Sequence, residues 1–66
     1  MYILFSEKNQ FICNDNSLEG IINSIKELFN WISIKLLFIS EDEATINLEI
    51  ELSDQVQPIL YTIKKV

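Results

Sequence analysis

Two periods run along this chain, and the places where one gives way to the other mark its elements. Tyr2-Ile3-Leu4-Phe5-Ser6 is β-branched and aromatic, the composition of a strand. Glu7-Lys8-Asn9-Gln10 is polar and contains Asn9, a residue that tolerates turn backbone. Phe11-Ile12-Cys13 predicts a second short strand, and a hairpin is the economical arrangement of the two. After Asn14-Asp15-Asn16-Ser17 the period changes. Leu18, Ile21, Ile22, Ile25, Leu28 and Phe29 recur at spacings of three and four, which is one stripe of an amphipathic helix. Glu19, Asn23, Lys26, Glu27 and Asn30 lie on its other side. Asn16 is the expected cap, with Glu19 three residues on to complete a capping box. Gly20 falls in the first turns, where it costs about 1 kcal/mol against alanine. Either the backbone is approached closely there or the glycine serves no purpose.

From Trp31 the period drops to two. Ile32, Ile34, Leu36 and Phe38 share one parity; Trp31, Ser33, Lys35, Leu37 and Ile39 share the other. The helix is therefore expected to end at about Phe29, with Asn30 in the left-handed position past its end. A third strand then covers about 32–40, and its two partly apolar faces predict a central strand. Glu41-Asp42-Glu43 makes the next turn. Residues 44–52 alternate strictly and predict a fourth strand, antiparallel to the third. Ser53 to Gln57 form a polar connection, and Pro58 stands at the first position of strand five, where its missing N–H is tolerated. There Ile59, Tyr61 and Ile63 alternate with Leu60, Thr62 and Lys64.

The order is ββαβββ. It predicts an α+β fold in a single small domain, residues 1–66: an antiparallel sheet of about five strands with one amphipathic helix packed on one face. One helix cannot cover both faces of such a sheet. It should bury the parity of Ile32, Ile34, Leu36 and Phe38 together with Ile46, Leu48, Ile50 and Leu52. The opposite face is expected to carry Trp31, Leu37, Ile39 and Tyr61 among Lys35, Glu49 and Glu51. Half-apolar open surfaces of this kind tend to be interaction sites.

Composition narrows the function. A chain of 66 residues buries only roughly 60% of the surface its unfolded form exposes. Small scaffolds lean on disulfides, a metal or self-association. Cys13 is the only cysteine and there is no histidine, so an internal disulfide is impossible and the commonest zinc ligand is missing. Self-association remains, and 48% hydrophobic residues agree with it; a homodimer or a hetero-complex is expected ahead of a lone monomer. No cofactor is implied. The opening Met-Tyr-Ile-Leu-Phe turns polar at once, unlike a secretory signal. No apolar run approaches the roughly 20 residues that cross a bilayer. The protein is expected to be cytoplasmic. Twelve isoleucines and six asparagines against one alanine, one glycine and no arginine suggest an AT-rich coding sequence, as in a low-GC bacterium, a mobile element or a phage inside its host cell. The net charge of −5 and the absence of arginine count against direct binding of nucleic acid or of membrane surfaces.

Candidate chemistry is sparse. Without histidine neither a Cys-His pair nor a Ser-His-Asp triad can form, and Cys13 reads as a small core residue. Glu49 and Glu51 share a strand face at roughly 7 Å, but glycosidase work needs a cleft that a flat sheet of this size does not make. A calcium loop started at Asp42 would put Asn47 at its glycine position and Ser53 at its final acid, so the pattern fails. No enzyme is expected. What stands out is residues 40–54, which hold six of the ten carboxylates, namely Glu41, Asp42, Glu43, Glu49, Glu51 and Asp54, and no lysine. Two explanations stay open: a solvated strand face that also blocks edge aggregation, or a surface that mimics phosphates and occupies the basic groove of a nucleic-acid enzyme.

The expected function is a non-enzymatic protein-binding module, an inhibitor or accessory regulator. Its partner contacts would be Trp31, Leu37, Ile39, Glu41, Asp42, Glu43, Glu49, Glu51 and Asp54, facing another protein or a second copy. The alternative is a structural homo-oligomer without a catalytic role.

Overall fold

The computed structural model describes all residues, Met1 to Val66. The elements are β1 (Tyr2–Phe5), β2 (Phe11–Asp15), α1 (Leu18–Leu28), β3 (Ile34–Glu41), β4 (Thr45–Leu52) and β5 (Ile59–Lys65). This is the ββαβββ, α+β order that the periodicity predicts. All strand pairs are antiparallel and the sheet order is β2-β1-β5-β4-β3.

The first hairpin turns at Asn9, the one non-glycine residue with positive φ (59°). The Ser6 hydroxyl accepts from the Lys8 and Gln10 N–H groups, which ties the turn to the end of β1. Between the hairpins, α1 starts one residue later than expected. Ser17, not Asn16, is the cap: its backbone is extended and its hydroxyl accepts from the Gly20 N–H at 3.0 Å. Glu19 plays no part in it. Asp15 in turn accepts from the Ser17 N–H and hydroxyl, at 3.0 and 3.2 Å, which holds the cap to the end of β2. A Cβ built on Gly20 would run into the Asp15 carboxylate. The glycine is therefore a close approach of helix to strand. The helix ends at Leu28, and Phe29 (φ −117°) follows it. Asn30 is not left-handed; Asn30 and Ile32 instead donate back to the Glu27 and Phe29 carbonyls, so the chain leaves the helix in tight turns.

The core comprises Leu4, Ile21, Ile25, Ile46, Leu48, Ile50, Leu52 and Ile63, with no buried polar residue. The β4 parity is as expected. Along the helix stripe Ile21 and Ile25 are fully buried and Leu18 and Ile22 pack half-buried against the core; Leu28 is exposed. The helix lies over β1 and β2. Farther along the sheet the cover comes from Phe29 and Ile32 in the turn after it, both packed against the core. Phe29 meets the Tyr61 ring at 6.4 Å between centroids. Tyr61 is opposite Leu48 on this covered face, so its expected position on the open face is corrected.

Two further corrections concern β3. It is an edge strand, bonded only to β4, and not a central one. Its apolar residues on both faces come from a half-covered edge, a situation that alternation alone cannot tell from double burial. Phe38 has the core-facing parity but is 55% exposed, because the helix does not reach that side of the sheet. A bulge interrupts the pairing between Phe38 and Ser40, so Ile39 has no direct partner on β4. Pro58 stands just before β5 rather than in it. No helix is long and apolar enough to cross a membrane.

Candidate functional site: the open face of the sheet

Directly opposed residues of an antiparallel sheet point to the same face, so the strand pairings define the face that α1 leaves bare. Three rows cross it. In the first, Ile3 of β1 opposes Lys64 of β5, which opposes Thr45 of β4. In the second, Phe11, Phe5, Thr62, Asn47 and Ser40 follow one another across all the strands. In the third, Leu60 of β5, Glu49 of β4 and Leu37 of β3 stand side by side, with Glu51 opposite Lys35 one step along.

The rows differ in character. Phe5 and Phe11 meet edge to face with centroids 6.5 Å apart, and the Lys64 ammonium lies 5.0 Å above the Phe5 ring. This corner is a cation–π cluster. The middle of the second row is a polar ladder: the Thr62 hydroxyl donates to Asn47 Oδ1 at 3.3 Å, and Asn47 Nδ2 donates to Ser40 Oγ at 2.9 Å. The third row sets one carboxylate, half-buried Glu49, between two apolar side chains. Leu60 and Ile39 are exposed beside it.

The nine expected contact residues do not form one surface. Leu37, Glu49 and Glu51 share the open face. Ile39 sits in the adjoining bulge. Glu41 has the opposite orientation: it pairs with Ile46 and its carboxylate binds Lys65 Nζ at 2.7 Å on the helix side. Asp42 accepts from the Ala44 and Thr45 N–H groups, both at 2.7 Å, and from the Thr45 hydroxyl. These backbone donors, Thr45 first, hold its carboxyl below the usual aspartate range. Its task is to close the β3–β4 turn. Glu43 is exposed in that turn and Asp54 in the connection before β5. Trp31 belongs to no strand, so strand parity assigns it to neither face; it is 66% exposed in the helix–β3 turn. The acidic segment therefore divides among a turn, two faces and a loop, and the continuous row of acids that phosphate mimicry requires reduces to Glu49 and Glu51.

Sequence reasoning missed the other half of the open face, namely Ile3, Phe5, Phe11, Leu60 and Lys64. The signal for Leu60 and Lys64 was present in the alternation of β5. Phe5 and Phe11 needed the β1–β2 pairing, which a bulge between Leu4 and Phe5 shifts by one residue.

Elsewhere the surface offers two shallow depressions. One of about 350 Å³ lies between β2 and α1, lined by Ile12, Cys13, Ser24, Glu27 and Leu28. The Ser24 hydroxyl there already donates to the Gly20 carbonyl. The other, about 230 Å³, lies at the Ser33–Lys35 end of β3 against Glu51, Leu52 and Ser53. No three acid, cysteine or histidine side chains come together as a metal site. No family model, curated protein or solved structure matches this chain.

Proposed function

We propose that this protein is a non-enzymatic binding module, an inhibitor or accessory regulator, that lays its open sheet face on a partner protein. One observation carries the proposal: Glu49 stands between Leu37 and Leu60 in the middle of an otherwise uncovered face. A strand position flanked by apolar side chains on both neighbours favours a β-branched or aromatic residue. A carboxylate there forgoes that stabilisation, and a contact with a partner's cationic or N–H group accounts for it. Exposed apolar side chains around a charged centre have the anatomy of a binding patch. The partner's matching surface is apolar with one or two basic residues. A nucleic-acid enzyme remains one such partner, recognised through these two acids and their apolar surround rather than through a long acidic track.

The test is affinity capture with three forms of the protein: the wild type, Glu49→Lys with Glu51→Lys, and Glu43→Lys with Asp54→Lys. A captured protein that the first pair of changes releases, and the second does not, supports the open face. Equal capture by all three would sink it.

A further inference from the structure

We infer that β3 pairs antiparallel with β3 of a second copy of this chain, across a two-fold axis at Leu36, to make one continuous sheet through both copies. This contact uses the edge of the sheet and stands independently of the open-face proposal.

The backbone indicates the geometry. Ser53 N–H donates to the Ser33 carbonyl at 3.1 Å, so Ser33 is turned toward β4. Hydrogen-bonded and non-bonded pairs alternate along an antiparallel ladder. Lys35, opposite Glu51, and Leu37, opposite Glu49, are therefore turned toward β4 as well. Ile34, Leu36 and Phe38 present their N–H and C=O groups to the free edge. Unpaired edge groups of this kind are a template for another strand. With Leu36 on the axis, Leu36 faces its own copy, and Ile34 faces Phe38 of the other chain at both ends. This register alone matches all three outward-turned residues with one another. Shifting it by two residues puts Phe38 against Ile32, or Ile34 against Ser40 beyond the bulge at Ile39.

Charge singles out a second copy as the occupant. The molecule has ten carboxylates against five lysines, so most of its surface repels its own kind. From Leu28 to Ser40 there is no carboxylate, and the only charge is Lys35. In the proposed register Lys35 lies beside Leu37 of the other copy. The row across the open face then reads Glu49, Leu37, Lys35 of the second copy, and that copy's Glu51. Each lysine stands between acids of both chains. On the helix side, Ile34, Leu36 and Phe38 extend one apolar row from core to core, and the exposed Phe38 ring gains cover.

Mass by light scattering tests this in low salt and in about 1 M salt, where surface charge is screened. Twice the 7.7 kDa chain mass is expected in both. Phe38→Asp and, separately, Lys35→Glu should halve the mass and leave the circular dichroism unchanged. In a Cys13→Ser background, Leu36→Cys should form a disulfide-linked dimer on oxidation, since bonded pairs sit about 5.5 Å apart at Cα. Leu37→Cys, opposite Lys35 of the other copy, should not. A wild-type monomer overturns the inference. So does a dimer that neither charge variant dissociates, or equal linking through both cysteine positions. If Phe38→Asp unfolds, Lys35→Glu and the cysteine pair decide the matter.

Discussion

Gly20 faces the carboxylate of Asp15 so closely that no Cβ fits between them. That contact reverses an ordinary expectation. Glycine to alanine inside a helix usually gains about 1 kcal/mol. Here the new methyl must push Asp15 away from the Ser17 N–H and hydroxyl, at a cost of about 1 kcal/mol for each hydrogen bond given up. Gly20→Ala should therefore be neutral or destabilising by thermal unfolding. In an Asp15→Ser background, where the space is free, the same change should stabilise. Additivity of the two changes would show that Asp15 and Gly20 are not in contact.

Ile25 and Leu28 belong to one periodic stripe but have different surroundings. Ile25 is fully buried, while Leu28 is 46% exposed. Ile25→Ala should cost about 2–5 kcal/mol, and Ile25→Asp should abolish folding as seen by circular dichroism. Leu28→Ala should cost less than about 1 kcal/mol. Similar losses at both positions would mean that the helix is rotated from its described orientation.

Acid should open the β3–β4 turn. The Asp42 carboxyl titrates below its ordinary value because Thr45 and Ala44 donate backbone N–H groups to the charged form. A depressed folded value means that the charged form stabilises the fold. That contribution is complete above about pH 4, the unfolded value, and is lost as pH falls through the lowered folded value. Asp42→Asn should be less stable than wild type at neutral pH, and the gap should close toward about pH 2. A gap that does not change with pH would assign the turn's stability to something other than this carboxylate.

Glu49 offers a direct exchange of function for stability. Glu49→Val places a β-branched side chain between Leu37 and Leu60 and should stabilise the sheet by about 0.5–1 kcal/mol. Under the proposed function the same variant loses its partner. A Glu49→Val protein that is destabilised would mean that the carboxylate is a structural requirement and not a recognition element.

Trp31, the only tryptophan, makes a convenient reporter. Its exposure predicts the red emission of a solvated indole and ready quenching by acrylamide. Emission already shifted to the blue in the free protein would mean that another copy or another part of the chain covers the ring.

Alternation carried most of the architecture. The strict period of 44–52 revealed both the strand and its buried parity, and the switch at Trp31 separated helix from strand. What alternation lacks is lateral position. Ile34, Leu36 and Phe38 look alike in sequence whether β3 has one neighbour or two, and only the placement of β5 between β1 and β4 decides it. The helix starts one residue later than the pattern predicts because Asn16 and Ser17 are both good caps, and Asp15, held in β2, selects Ser17. Clustering of carboxylates in sequence also did not become clustering in space. Glu41 and Glu49 lie on opposite faces, because the bulge at Ile39 inverts the parity between them.

The strand at the centre of the sheet is the last of the five to be synthesised. The β1–β2 hairpin and the β3–β4 hairpin pair only through β5. Until residues 59–65 leave the ribosome, each half has a strand waiting for its neighbour. The connection before β5, residues 53–58, is exposed throughout, so the chain can be cut there without breaching the core. The molecule is thus a natural split pair. A fragment ending in this connection should stay incomplete until a short peptide carrying β5 is supplied in trans, and its insertion would join both hairpins in one step.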